Sequence, residues 1–124
     1  MNIVLWILAG LLALAFLGSG LMKIIQSKEK LAASGQGWTE DFSAGAIKGI
    51  AVAEILAAFG LILPAVTGIA TVLTPLAALG LVVVMAGAAI VHGRRKETQG
   101  VVVTLLLLVL AAVVAWGRFG PYAF

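Results

Sequence analysis

Few side chains in this 124-residue chain can do chemistry, and one of them stands where charge is costly. Glu54 lies near the middle of SAGAIKGIAVAEILAAFGLILP, residues 43–64, an otherwise almost wholly apolar stretch. A charge at the centre of a bilayer costs about 3 kcal/mol on insertion scales, so such a residue faces a partner or a cavity. Lys23 closes the first apolar stretch and His92 closes the third. With alternating helices, both fall in the same half of the membrane as Glu54, which sits about 9 Å deeper than Lys48 at 1.5 Å per residue. A lysine stem reaches several ångströms along a helix, which brings Lys23 within range of Glu54 while His92 approaches from the third helix. The product is a small polar pocket under an apolar roof, suited to a quinone-like head group, a lipid head group, a proton path or a small polar solute.

Each of these residues also has a plainer reading. Glu54 serves equally as a structural carboxylate hydrogen-bonded across helices, Lys23 as a side chain snorkelling to the interface, and His92 as an interfacial histidine beside Arg94 and Arg95. Met85, seven residues before His92, shares its helix face and either lines the groove or fills the core. Gly18, Ser19 and Gly20 mark a close helix crossing or a kink that faces the pocket. A lone histidine with Glu54 and Glu97 forms no ligand spacing, so no metal site is expected. No glycine-rich phosphate loop follows a strand, and no hydroxyl nucleophile has a base beside it. No catalytic residue is assigned.

The elements that must position these groups follow from composition. With 63% hydrophobic and 10% charged residues and a mean hydropathy of +1.20, the chain lies outside the range of soluble domains. Four apolar segments of spanning length leave room for one domain, 1–124, and none for a soluble catalytic unit. The predicted fold is all-α, a four-helix antiparallel transmembrane bundle with helices at about 3–25, 44–63, 75–93 and 98–116. Because the chain has no cysteine, dithiol redox chemistry, cysteine-ligated zinc, iron–sulfur clusters and disulfides are excluded from it.

The first segment has no basic stretch before its apolar core and no Ala-x-Ala site after it, so it is expected to stay as a spanning helix. The polar connection 26–41 reads as a short interfacial helix with Trp38 at headgroup depth, like Trp6 and Trp116. Ser43 caps the second helix and Pro64 ends it. Thr74 and Pro75 start the third helix, as a capping hydroxyl followed by proline at the first helical position. The tail from Gly117 reads as an aromatic interfacial belt rather than helix. Along the second helix, Gly45, Gly49, Ala53 and Ala57 form a ribbon of small residues that allows close approach of a neighbour.

Lys23, Lys28, Lys30, Lys48, Arg94, Arg95 and Lys96 flank the first and third connections, and only Arg118 lies on the other side. That asymmetry places the two basic connections in the cytoplasm and both termini outside, in a bacterial inner membrane. The same placement makes the net positive charge a topology signal, so no nucleic-acid partner is expected. Membrane lipid is the surrounding partner, and the small-residue faces point to a homo-oligomer or a larger membrane complex.

The segments GSGLMKI, GWTEDFS, KGIAVAEILAAFGLILP, GAAIVHGRRKE and WGRFGPY together resemble the DoxX-like family of small four-helix bacterial membrane proteins, over essentially the whole chain. In the wider DoxX group some members are subunits of membrane oxidoreductases, including a thiosulfate:quinone enzyme. The resemblance implies a membrane subunit connected with quinone or sulfur redox chemistry, with Lys23, Glu54 and His92 as the polar residues that match the family's pattern. Three functions follow as expectations. The first is a non-catalytic subunit that binds a quinone or similar amphipathic molecule through Glu54, Lys23, His92, Met85 and Ser19, within a membrane oxidoreductase or alone. The second is a small proton-coupled carrier that uses Glu54, and the third is a scaffold or assembly factor.

Overall fold

The computed structural model describes residues 2–33 and 42–123, and every regular element among them is a helix. α1 spans Asn2–Ile25 and a short α2 spans Lys28–Ala33. α3 (Ala44–Thr67), α4 (Leu73–Arg94) and α5 (Thr98–Phe119) complete the chain. α1, α3, α4 and α5 are each long and apolar enough to cross a membrane. At 1.5 Å per residue they reach about 33–36 Å, which covers a hydrocarbon core of about 30 Å. The all-α class with four spanning helices is the one its composition implied.

The spanning helices pack in a ring, α1 on α3, α3 on α4, α4 on α5, and α5 back on α1. Their directions alternate. Lys23 near the end of α1 reaches Glu54 and Lys48 reaches the last carbonyls of α1, while Gly60 meets Thr74 and Ala77, His92 meets Gly100, and Leu5 meets Gly117. Buried positions step by three or four residues, as Leu5, Ala9, Leu12, Phe16, Gly20 and Lys23 on α1 and Ile47, Ala51, Glu54, Ala58, Leu61 and Pro64 on α3. Such a stripe occupies one face of a helix. Both Lys23 and Glu54 fall on it. The opposite faces carry large exposed apolar residues such as Ile3, Leu14, Val66 and Val83. A surface of that kind would aggregate in water and suits contact with lipid.

Several boundaries differ from the sequence expectations. Pro64 does not end α3, which continues to Thr67 and is closed by Gly68 in the left-handed conformation, with φ 72° and its N–H on the Pro64 carbonyl. A proline in the last turn removes the N–H that would bond the carbonyl four residues earlier, here Gly60. Thr74 supplies the missing donor, its hydroxyl lying 3.2 Å from Gly60 O. Thr74 is therefore not a cap. α4 begins at Leu73, and its N-cap position is Val72, whose side chain makes no capping bond. Gly60 also lets α4 come close, since an added Cβ there would lie 3.0 Å from Ala77 Cβ.

At the same end of the bundle, α5 runs past the expected stop at Trp116 to Phe119. Gly117 faces Leu5, and a Cβ at that position would lie 2.5 Å from a leucine methyl. Arg118 turns inward, donating to Asn2 Oδ1 at 2.6 Å and to Tyr122 O at 2.9 Å. The close crossing of α1 and α3 is made at Gly20, where an added Cβ would be 2.9 Å from Ala51 O. At Gly45, Gly49 and Gly18 an added Cβ would meet nothing within 4 Å. The ribbon on α3 is thus not the surface that α1 uses. Ser43 caps α3 as expected, accepting from Ala46 N at 3.1 Å. α2 gives the first connection a short helix whose Leu31 is buried, and Trp38 lies outside the described residues.

The Gly60–Thr74 bond gives a direct test. Thr74→Val keeps the shape but leaves the Gly60 carbonyl without its donor, and is expected to destabilise the bundle by about 0.5–2 kcal/mol. Thr74→Ser is expected to remain near the native value, both read from unfolding in detergent.

Candidate functional site

The site begins with the register of two helices. Glu54 occupies a core position of α3, so its carboxylate points into the bundle with 2% of the residue exposed. Lys23 occupies the last core position of α1 and is 7% exposed. Their approach is permitted by Gly20, one turn earlier, which brings the α1 backbone onto Ala51 and Ile55. Lys23 Nζ donates to Glu54 Oε1 at 2.7 Å and to Ser19 Oγ at 2.5 Å. Serine four residues before lysine stands on the same helix face. A buried charge-assisted bond of this kind is strong only because each ion offsets the other's lost hydration.

Lys48 holds the end of α1 from outside the core. Its ammonium donates to Lys23 O at 2.9 Å, to Ile24 O and to Gln26 O at 3.4 Å. The last carbonyls of a helix lack intrahelical partners and carry the negative end of the helix dipole, so a lysine there both satisfies and neutralises them. The residue that supplies the site's ammonium is in this way fixed at its backbone too. From the sequence, Lys48 counted only toward topology.

At this end of the bundle the helices enclose a groove of about 520 Å³, whose walls include Phe16, Ser19 and Lys23 of α1, Ile50 and Glu54 of α3, Met85, Ala88 and His92 of α4, and Thr104 and Leu107 of α5. The volume lies within the range of small-molecule sites. All five candidate residues, Glu54, Lys23, His92, Met85 and Ser19, line this one space. Glu54, Lys23 and Ser19 form its polar contact. Met85 also belongs to the apolar core, so both of its readings describe its position.

His92 does not bond to Glu54. Its Nδ1 lies 2.8 Å from Glu97 Oε1, just beyond the end of α4, and Glu97 Oε2 lies 3.5 Å from Arg95 Nε. The hydrogen bond to His92, with Arg95 assisting, holds the partly exposed Glu97 carboxyl below the ordinary carboxylate range against some desolvation. Gly100 on α5 faces the imidazole, and a Cβ there would lie 2.5 Å from Nδ1. Glycine is therefore required for the ring to sit where it does. Sequence reasoning weighed Glu97 beside His92 only as a metal ligand, and missed its hydrogen bond and the close approach of Gly100, because both lie across a turn, outside any helical spacing. Thr104, the lone hydroxyl in VVVTLLLLV, is a signal that was available; its hydroxyl bonds back to Gly100 O at 2.8 Å. Among the described residues no group of three or more His, Cys, Asp or Glu side chains is arranged to hold a metal ion.

Comparison with known proteins gives one relationship. The model of the DoxX-like family matches residues 7–114, most of the chain, including α3, α4 and the ends of α1 and α5 that carry the groove. No curated protein and no solved structure matches the chain.

The buried pair can be tested by a double-mutant cycle. Lys23→Met leaves the Glu54 carboxylate buried without its cation and is expected to destabilise by about 3–5 kcal/mol, whereas Lys23→Met with Glu54→Leu is expected to recover most of that loss. The readout is unfolding in detergent, and a double variant as unstable as the single one would show that the two groups do not act as a unit.

Proposed function

The chain belongs to the DoxX-like family, and from that premise we propose that it is a membrane binding protein whose groove holds a quinone or a similar amphipathic molecule, without a reaction of its own. The observation that carries this reading is the composition of the groove. Apolar walls from all four spanning helices surround one compact polar contact, Lys23 with Glu54 and Ser19, and His92 of α4 lines the same groove. Sites for small molecules combine a largely apolar lining with a few placed polar groups that fix orientation. A quinone matches that division, since its tail is apolar and its ring oxygens accept hydrogen bonds, for which the Lys23 ammonium and the Ser19 hydroxyl are donors. A bound quinone would bring two-electron, two-proton chemistry, which this cysteine-free chain has no thiol to supply. The reading also accommodates a role as one subunit of a membrane oxidoreductase.

The basic end of the bundle is placed in the cytoplasm of a bacterial inner membrane, with both termini outside. Support comes from the distribution of charge. Seven of the eight lysines and arginines flank the first and third connections, and the eighth, Arg118, is 5% exposed and bonded to Asn2 and Tyr122. Positive charge retained on the cytoplasmic side is the usual determinant of orientation. The exposed Gly45 and Gly49 on α3 favour close packing with another subunit, either a second copy or a partner in a larger complex.

Mass spectrometry of the organic extract tests the binding reading. The native chain and Glu54→Gln are purified in mild detergent and their extracts compared. A quinone or one defined amphipath enriched in the native sample and lost from the variant is the expected result. Bulk lipid alone in both would overturn it in favour of a scaffold.

A further inference from the structure

The imidazole of His92 is built into its place more firmly than an interfacial histidine requires. On one edge, Nδ1 meets Glu97 Oε1 at 2.8 Å, while Arg95 Nε stands 3.5 Å from the other carboxylate oxygen. Against the ring, Gly100 leaves a space that any side chain would close, with its hypothetical Cβ 2.5–3.0 Å from Nδ1, Cγ and Cε1. The residue as a whole lines the groove. Nε2 has no hydrogen-bond partner among the described residues.

The partner of Nδ1 decides the character of Nε2. An ionised carboxylate has only acceptor oxygens, so the hydrogen in the Glu97–His92 contact must belong to Nδ1. In a neutral imidazole with its proton on Nδ1, Nε2 carries a lone pair and accepts. A carboxylate behind a histidine commonly fixes the tautomer in this manner. The two polar features of the groove then differ in sense. Lys23 and Ser19 bring donors beside the Glu54 carboxylate that Lys23 already engages, whereas His92 brings an uncharged acceptor on another helix.

We infer that the ligand of this groove presents an O–H donor to His92 Nε2, that the site therefore selects the hydroxyl-bearing form of a ring over its carbonyl form, and that Glu97 is the positioning residue that sets this preference from outside the groove. The inference rests on the binding reading above and narrows it to quinols and related phenols. A carbonyl oxygen brought to Nε2 would set two lone pairs against each other, while a hydroxyl forms a bond and keeps a second lone pair for a donor such as the Lys23 ammonium. No bond to carbon forms or breaks and no electron is transferred. Glu97→Gln removes the constraint, because a glutamine amide can turn either its oxygen or its NH₂ to Nδ1, so that both tautomers become available.

The test measures binding of ubiquinol-1 and ubiquinone-1 to the purified full-length chain by equilibrium dialysis, under reducing and oxidising conditions, in mildly alkaline buffer. The expected result is that the native chain binds the quinol roughly three- to tenfold more tightly, the span of one net hydrogen bond. In Glu97→Gln that ratio is expected to fall toward one. Equal affinity or a preference for the quinone in the native chain overturns the inference by itself, whatever the folding of the variant. An unchanged quinol preference in a folded Glu97→Gln variant removes the role of Glu97. Glu54→Gln separates the two levels: binding that is lost with Glu54 but shows no quinol preference refutes only the inference, and failure of both probes to bind the native chain overturns the binding reading with it.

Discussion

The desolvation of charge constrains this molecule more than any other term. Lys23 and Glu54 are held 2.7 Å apart in the interior of a helix bundle whose outer faces are apolar. Either ion alone would face the full expense of leaving water, and together they reduce it to a level that packing can offset. The geometry that allows this is specific: Gly20 lets the α1 backbone reach α3, the core register of α3 points Glu54 inward, and Lys48 secures the carbonyl end of the helix that carries Lys23. The groove exists around the pair. Its walls are the same four helices, and its polar contact is the pair itself together with Ser19.

The same rule accounts for polar groups elsewhere in the bundle. In hydrocarbon a backbone group without a partner has no water to turn to. Proline in the last turn of α3 frees the Gly60 carbonyl, and the Thr74 hydroxyl of the next helix takes it up. Thr104 returns its hydroxyl to carbonyls of its own helix. Arg118, the one cationic side chain among the described residues at the end away from the basic connections, is sequestered by Asn2 and a backbone carbonyl beside the Trp6 ring. One end is locked by Gly60 against Ala77 and Gly117 against Leu5, and the groove lies in the half toward the other. A binding space between helices that are pinned at one end is a natural outcome of that division.

How much of this was legible in the sequence depends on whether the determining contact is local. The four spans follow from apolar runs, and the Ser43 cap from a single hydroxyl before a helix, so both could be read directly. The meeting of Lys23 with Glu54 was legible because an acid in an apolar stretch demands a partner and few are in reach. Pro64 and Thr74 were misread for a common reason. Each was judged by its own segment as a stop and a cap, whereas the donor that lets α3 continue comes from across the bundle. The close crossing expected at Gly18, Ser19 and Gly20 is made at Gly20, whereas Gly45 and Gly49 meet no neighbour and Gly60 and Gly117 do, because only the fold decides which small residue faces another helix. Glu97 was weighed beside His92 only as a metal ligand, and Gly100 escaped notice there, because the turn between α4 and α5 breaks the helical periodicity that would connect them.

The decisive measurement is the separation of Lys23 Nζ from the Glu54 carboxyl carbon in a lipid bilayer. Dipolar recoupling by magic-angle-spinning NMR, on chain labelled with ¹⁵N in lysine and ¹³C at the glutamate carboxyl, reports it, with Lys23→Met and Glu54→Gln assigning the signal. The expected result is a strong coupling consistent with an N–O contact of 2.7 Å, present in the native chain and absent from both variants. A native chain in which no Lys23–Glu54 coupling is detected would contradict the buried ion pair, and with it the site built around that pair.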